Sequence, residues 1–174
     1  MRIAIICYSF TQNNRVLASE ISARTGGTLF TIEERKARTK FTILFDLIFN
    51  RVPKIKDIPG LSNHFDHYIL VAPVWGGKIA SPLRALVLKI RSSLTSYSFI
   101  TVCGGAPDQK QKIVHELTTL VHKEPLMVTE LSLSSYLGHP KGILDFKISN
   151  EQLKFFAGKI NEFVEEIGVA PAIK

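Results

Sequence analysis

The chain has little of several residue types that mark whole protein classes. Of its 174 residues, two are cysteine, two are methionine and one is tryptophan. Two cysteines make no disulfide framework, which points to a reducing, cytoplasmic compartment. No apolar run approaches the ~20 residues that cross a bilayer as a helix. The apolar run after Arg2 is short and has no small-residue cleavage site behind it, so it reads as a strand rather than a secretion signal. A Gly-x-x-x-x-Gly-Lys-[Ser/Thr] loop is missing, which excludes a P-loop NTPase. No Gly-x-Gly-x-x-Gly follows the first strand, so the usual dinucleotide fingerprint is missing too. That strand ends in Cys-Tyr-Ser rather than acidic residues, which argues against a phospho-accepting receiver. His64 and His67 lie three apart at a loop–strand junction without clustered Cys or carboxylate, so no metal site is expected. There is no internal repeat and no low-complexity tract.

Acidic residues are also scarce: 15 against 22 basic ones, for a net charge of +7. Such a balance suits nucleic acid, an anionic membrane or an anionic ligand. The charge is concentrated. Arg35, Lys36, Arg38, Lys40, Arg51, Lys54 and Lys56 crowd one segment. That segment lacks interleaved exposed aromatics, so specific nucleic-acid binding is not expected. Hydrophobic residues make up 45% of the chain, enough for one folded domain spanning 1–174.

What is present is a regular alternation. Arg2–Tyr8 is continuously apolar and rich in isoleucine, as in a strand buried on both faces. Ser9-Phe10-Thr11-Gln12-Asn13-Asn14 breaks it with small polar side chains, and Arg15–Arg24 reads as a helix. Together they make an anion site, because a helix N-terminus presents unpaired N–H groups and the positive end of its dipole. A second strand is expected over Gly27–Glu33, after a Gly26-Gly27 stop. Phe41, Leu44, Phe45 and Ile48 have helical spacing within the long connection 34–63. His67–Ala72 is a third strand, Pro73–Gly77 an abrupt loop, and Ser81-Pro82 the start of the next helix. Ser98–Cys103 and Leu126–Ser132 are strands four and five, with a helix between them. Residues 134–149 read as irregular, and a last helix runs from Asn150 to Ile167.

Strands alternating with helices predict a doubly wound α/β fold: a five-stranded parallel sheet with helices on both faces. Ligands of such sheets bind outside the carboxyl ends of the strands. Three loops leave those ends, 9–14, 73–81 and 104–110, and all are rich in small or polar residues. Cys7 and Cys103 read as buried, inert thiols at the ends of inner strands.

These loops resemble those of the flavodoxin-like proteins, over essentially the whole chain. In that family the first loop reads [Ser/Thr]-x-Thr-Gly-Asn-Thr and wraps the phosphate of FMN. Ser9, Thr11 and Asn13 match it, Asn14 keeps a donor, and Gln12 departs from the usual Gly. Pro73-Val74-Trp75-Gly76-Gly77 is similar to the family's Pro-x-[Trp/Tyr]-x-Gly loop beside the isoalloxazine ring. The resemblance implies that Trp75 stacks on or edges the flavin and that Gly76–Gly77 faces its N5 side. Cys103-Gly104-Gly105 matches the loop over the other edge, with Asp108 and Gln109 within reach of polar atoms. The resemblance implies an FMN-binding oxidoreductase or electron carrier with a small-molecule or protein redox partner. The family's electron carriers are acidic, and +7 departs from that. A positive field favours anionic reduced flavin, which directs the reading to reduction of a small molecule such as a quinone, with NAD(P)H as a candidate donor. The alternative is a flavodoxin-fold module without flavin that acts through its basic 35–56 segment on a partner protein or, peripherally, on an anionic membrane.

Overall fold

A computed structural model describes residues 1–35, 51–61, 64–138 and 146–168. The helix expected over 41–48 and most of the basic segment lie outside the described residues. Five parallel strands form the sheet: β1 (Ile3–Cys7), β2 (Thr28–Thr31), β3 (His67–Val71), β6 (Tyr97–Cys103) and β7 (Val128–Ser132). Their spatial order is β2-β1-β3-β6-β7, every neighbouring pair parallel. This is the flavodoxin-like order, with the topological switch between β1 and β3.

The order follows from burial. All five residues of β1 are buried, as are all of β3 and β6. Strands that apolar must be covered on both faces, and the alternation of side chains divides each between two cores. Ala4 and Ile6 point into one core, Ile3, Ile5 and Cys7 into the other. Helices α2 (Ser81–Ile90) and α3 (Gln109–Val121) cover the first through Leu83, Leu86, Val87, Ile113 and Leu117. Helices α1 (Asn13–Thr25) and α6 (Ala157–Glu166) cover the second through Leu17, Ile21, Ile160, Phe163 and Val164.

Several boundaries differ from expectation, each for a local reason. Helix α1 begins at Asn13, two residues before Arg15. Strand β2 stops at Thr31 instead of Glu33, because the chain then turns to pair with 54–56. Lys56 N–H donates to Glu33 C=O at 2.8 Å and Glu34 bridges Ile55. Ser81 is inside α2, after Ala80, and so does not cap it. Within 134–149, read as irregular, lies a one-turn helix α4 (Leu133–Leu137). The Ser132 side chain caps its start and Gly138, at φ 71°, ends it. The last helix is broken: α5 (Asn150–Leu153) and α6 are joined by a 3-10 turn, Lys154–Phe156. Its start is as expected, with a capping box between Ser149 and Gln152.

One buried polar group stands out at the amino end of β3. His67 is 2% exposed, and its ring nitrogens meet Ser96 Oγ at 2.8 Å and Ser98 Oγ at 3.1 Å. Burial pushes its pKa down from 6.5 to about 4. The unfolded chain therefore binds the extra proton more readily between those values. Stability is full above about pH 6.5 and falls as pH drops towards 4, by at most ~1.4 kcal/mol per pH unit from this group. Urea midpoints measured from pH 7 to 4 should fall less steeply for His67→Gln than for the unmodified chain. Parallel slopes would show that His67 contributes nothing to the acid sensitivity.

Candidate functional site

The carboxyl ends of β1, β3 and β6 are neighbours, so their three loops open at one end of the sheet. The first loop is held by asparagines. Asn14 is 2% exposed; its Nδ2 donates to Val102 C=O at 3.1 Å and its Oδ1 accepts from Val102 N–H at 2.8 Å. Asn13 does the same to a different segment, donating to Phe146 C=O at 2.8 Å and accepting from Ile148 N–H at 2.9 Å. Both amide side chains were expected to add donors at the anion site. The structure commits them to the fold instead, and what they leave at the site is their backbone N–H.

Those N–H groups are available. Phe10, Thr11, Gln12, Asn13 and Asn14 donate backbone hydrogens to no acceptor among the described residues. Gln12 C=O takes the first helical bonds, from Arg15 and Val16 at 3.0 Å. Ser9 Oγ is shut off from solvent and has no hydrogen-bond partner among the described residues. An orphaned buried hydroxyl beside a row of unpaired N–H groups at a helix N-terminus is a fit for a phosphate.

Gln12 is the residue that departs from the family pattern, and it occupies the conformation that pattern implies. Its φ is 73° and ψ −13°, the left-handed region that glycine enters without strain. Holding a residue with a Cβ there is unfavourable by ~1–2 kcal/mol. The left-handed conformation is thus held by a residue that carries a Cβ.

The second loop is more ordered than expected. It is a small hairpin, β4 (Val74–Trp75) against β5 (Lys78–Ile79), with Trp75 opposite Lys78. Gly76 and Gly77 have φ 58° and 78°. Positive φ at both central residues is what a two-residue hairpin turn with the strand's own twist requires. Pro73 C=O closes the base by accepting from Ala80 N–H at 3.0 Å. Trp75 is half-buried and lies edge-on to two rings of the first loop, Tyr8 at 6.2 Å and Phe10 at 6.4 Å. These contacts fix the spacing of the two loops.

The hairpin also has a support that no sequence pattern announced. Glu116 of α3 accepts from Ile79 N–H at 2.8 Å through one carboxylate oxygen, and its other oxygen pairs with the Arg84 guanidinium. Both side chains are largely buried. Glu116 lies more than thirty residues beyond Arg84 and the hairpin and carries no local signature.

In the third loop, Gly105 has φ 81°, and a Cβ on it would lie 2.0 Å from Ser132 Oγ. Glycine is obligatory there for the loop to pass over β7. Gln109 does not reach towards the loop mouth as expected. Its Nε2 bonds Cys103 Sγ at 3.2 Å and the Glu130 carboxylate. Burial and the Glu130 charge push the Cys103 thiol up to about 11, and burial pushes Cys7 up to about 12. Neither is a thiolate nucleophile near neutral pH. Among the described residues no group of three or more His, Cys, Asp or Glu forms a metal cluster, and no helix is long and apolar enough to cross a membrane.

No protein-family model matches the chain, and no curated protein matches it either. Solved structures do. A flavoprotein of Lactobacillus acidophilus, in complex with FMN, superposes with a TM-score of 0.65 at 15% identity, covering 79% of this chain and 96% of its own. A protein of Bacteroides eggerthii, provisionally assigned as a flavoprotein, superposes with 0.69 at 12% identity, covering 97% and 99%. At these identities the likeness establishes the flavodoxin-like fold.

Two substitutions check the first loop. Asn14→Ala removes both bonds to buried Val102 groups and should lower stability by ~2–3 kcal/mol. Gln12→Gly should leave stability unchanged or raise it by up to ~1 kcal/mol, whereas Gln12→Val should lower it by ~1–2 kcal/mol. Urea unfolding reads all three; a clear loss in Gln12→Gly would mean that the left-handed geometry carries no strain.

Proposed function

We propose that the chain binds FMN non-covalently at the three loops and serves as a redox protein acting on a small molecule. The observation that carries this reading is the first loop: among the described residues, buried Ser9 Oγ has no partner, and neither do the five backbone N–H groups next to it. Water-filled turns do not need a shielded orphan hydroxyl, whereas a phosphate oxygen accepts from it and from the N–H row together. A solved structure of the same fold is a flavoprotein holding FMN, and a second is provisionally assigned as a flavoprotein, which supports the choice of anion.

In this reading Ser9 and Thr11 bind the phosphate with the backbone of 10–14. Trp75, Phe10 and Tyr8 form an aromatic wall that keeps water from one side of the ring. The turn at Gly76–Gly77 and the loop at Gly104–Gly105 bring backbone rather than side chains to its edges. Bound there, FMN supplies one- and two-electron transfer that no side chain of the chain provides. The protein's own part is to orient, exclude water and set the local field. A net charge of +7 raises the affinity for the reduced, anionic form and so favours an acceptor such as a quinone, with NAD(P)H as donor.

Absorbance of the purified chain, with FMN added and the excess removed, tests the reading. A retained flavin spectrum is expected. Ser9→Ala should weaken FMN about ten- to a hundredfold, the range for a hydrogen bond to a charged group. A chain that stays colourless and takes up no FMN at high concentration would end the reading while leaving the fold intact.

A further inference from the structure

Between the β4–β5 hairpin and α3 lies a groove of about 420 Å³. One wall is the turn Gly76–Gly77 with Lys78; the other is α3, through Lys112, His115 and Thr119. Its floor is the Arg84–Glu116 ion pair and Leu120.

Its charge is one-sided. Three cations, Lys78, Arg84 and Lys112, face one carboxylate, Glu116. That carboxylate is already engaged by Arg84 and by Ile79 N–H. Lys78 and Lys112 have no carboxylate within ion-pair distance among the described residues. They approach from opposite walls, one on the hairpin and one on the helix. The stem of Lys112 runs across the turn so closely that a Cβ on Gly77 would lie 2.9 Å from its Cδ. The positive φ of 78° favours glycine at 77, and the missing Cβ leaves room for the Lys112 stem over the turn.

Two lysines lining one groove, one from the hairpin and one from the helix, suit a multivalent anion better than a single carboxylate, and lysine binds phosphate as a point charge. The volume is within the range of small-molecule sites, and Leu120 gives the floor an apolar surface for a planar group. We propose that this groove binds a phosphate-bearing small molecule of nucleotide size, held between Lys78 and Lys112. Only its placement beside the flavin-contacting hairpin rests on the proposed function; binding itself requires no flavin.

Trp75 is the single tryptophan and sits opposite Lys78 across the hairpin, with its ring against Tyr8 and Phe10, so its emission reports on the hairpin that forms one wall of the groove. Calorimetric titrations of the purified chain with pyrophosphate, ADP and adenosine are the test, with Trp75 emission followed in parallel. Pyrophosphate and ADP should bind saturably and compete, with emission tracking the heat, and adenosine alone should not bind. Tighter ADP than pyrophosphate would assign the nucleoside to the Leu120 floor; equal affinities would assign the phosphates alone. Lys78→Glu/Lys112→Glu should weaken both ligands at least about tenfold, as should Thr119→Glu, which adds a carboxylate to the wall and leaves the lysines in place. Ser9→Ala/Thr11→Ala should not change them. Absence of saturable binding, unchanged affinity in both charge variants, or loss in the Ser9/Thr11 variant would overturn the proposal, the last by moving the anion to the first loop. FMN uptake is measured separately on the same proteins. Failure there with phosphate binding intact would remove the flavin reading and keep the groove.

Discussion

The double hydrogen bond between Asn14 and Val102 is the constraint on which the site depends. It ties the first turn of α1 to β6 across the sheet, in a place closed to water. A buried amide that loses such partners is unfavourable by ~1–3 kcal/mol, so the helix start cannot drift along the strand. With Asn13 bound to the 146–148 segment, the loop before the helix has both ends set. Its N–H groups have no acceptor among the described residues, and the Asn13 and Asn14 side chains are engaged elsewhere.

The second loop is set by a different kind of contact. Its tip is made of two glycines, which bring no side chains to pack. Position comes from the aromatic edges of Tyr8 and Phe10 on one side and from Glu116 on the other. An ion pair as buried as Arg84–Glu116 adds little net stability, but removing one partner strands the other charge. It serves geometry more than energy, holding β5 against α3 and thereby defining both the aromatic wall and the groove behind it.

Much of this was legible in the sequence. Isoleucine-rich runs with no polar interruption can only be central strands, and the polar loops after them mark the ligand end of the sheet. Gly26 ended α1 as read, with φ 66°. Less legible was what the loops do internally. Asn13 and Asn14 read as ligand donors because short amides after a strand favour helix starts, and nothing local reveals a partner some ninety or more residues away. The hairpin at 74–79 was read as loop because two-residue strands leave no periodicity. The helix at 133–137 is a single turn created by its caps, too short for any hydrophobic pattern. Gln12 is the reverse case: the residue type argued against the left-handed turn, and the tertiary constraints on either side imposed it.

The burial of the two thiols has an experimental use. Cys7 and Cys103 end the inner strands β1 and β6, each 5% exposed or less, Cys7 within the core beneath α1 and α6. A thiol-specific reagent therefore meets no reactive sulfur until a strand leaves the sheet. Labelling becomes a clock for opening: simultaneous modification of both would describe a sheet that separates as one unit, and earlier labelling of Cys103 would time the release of β6 beneath the third loop.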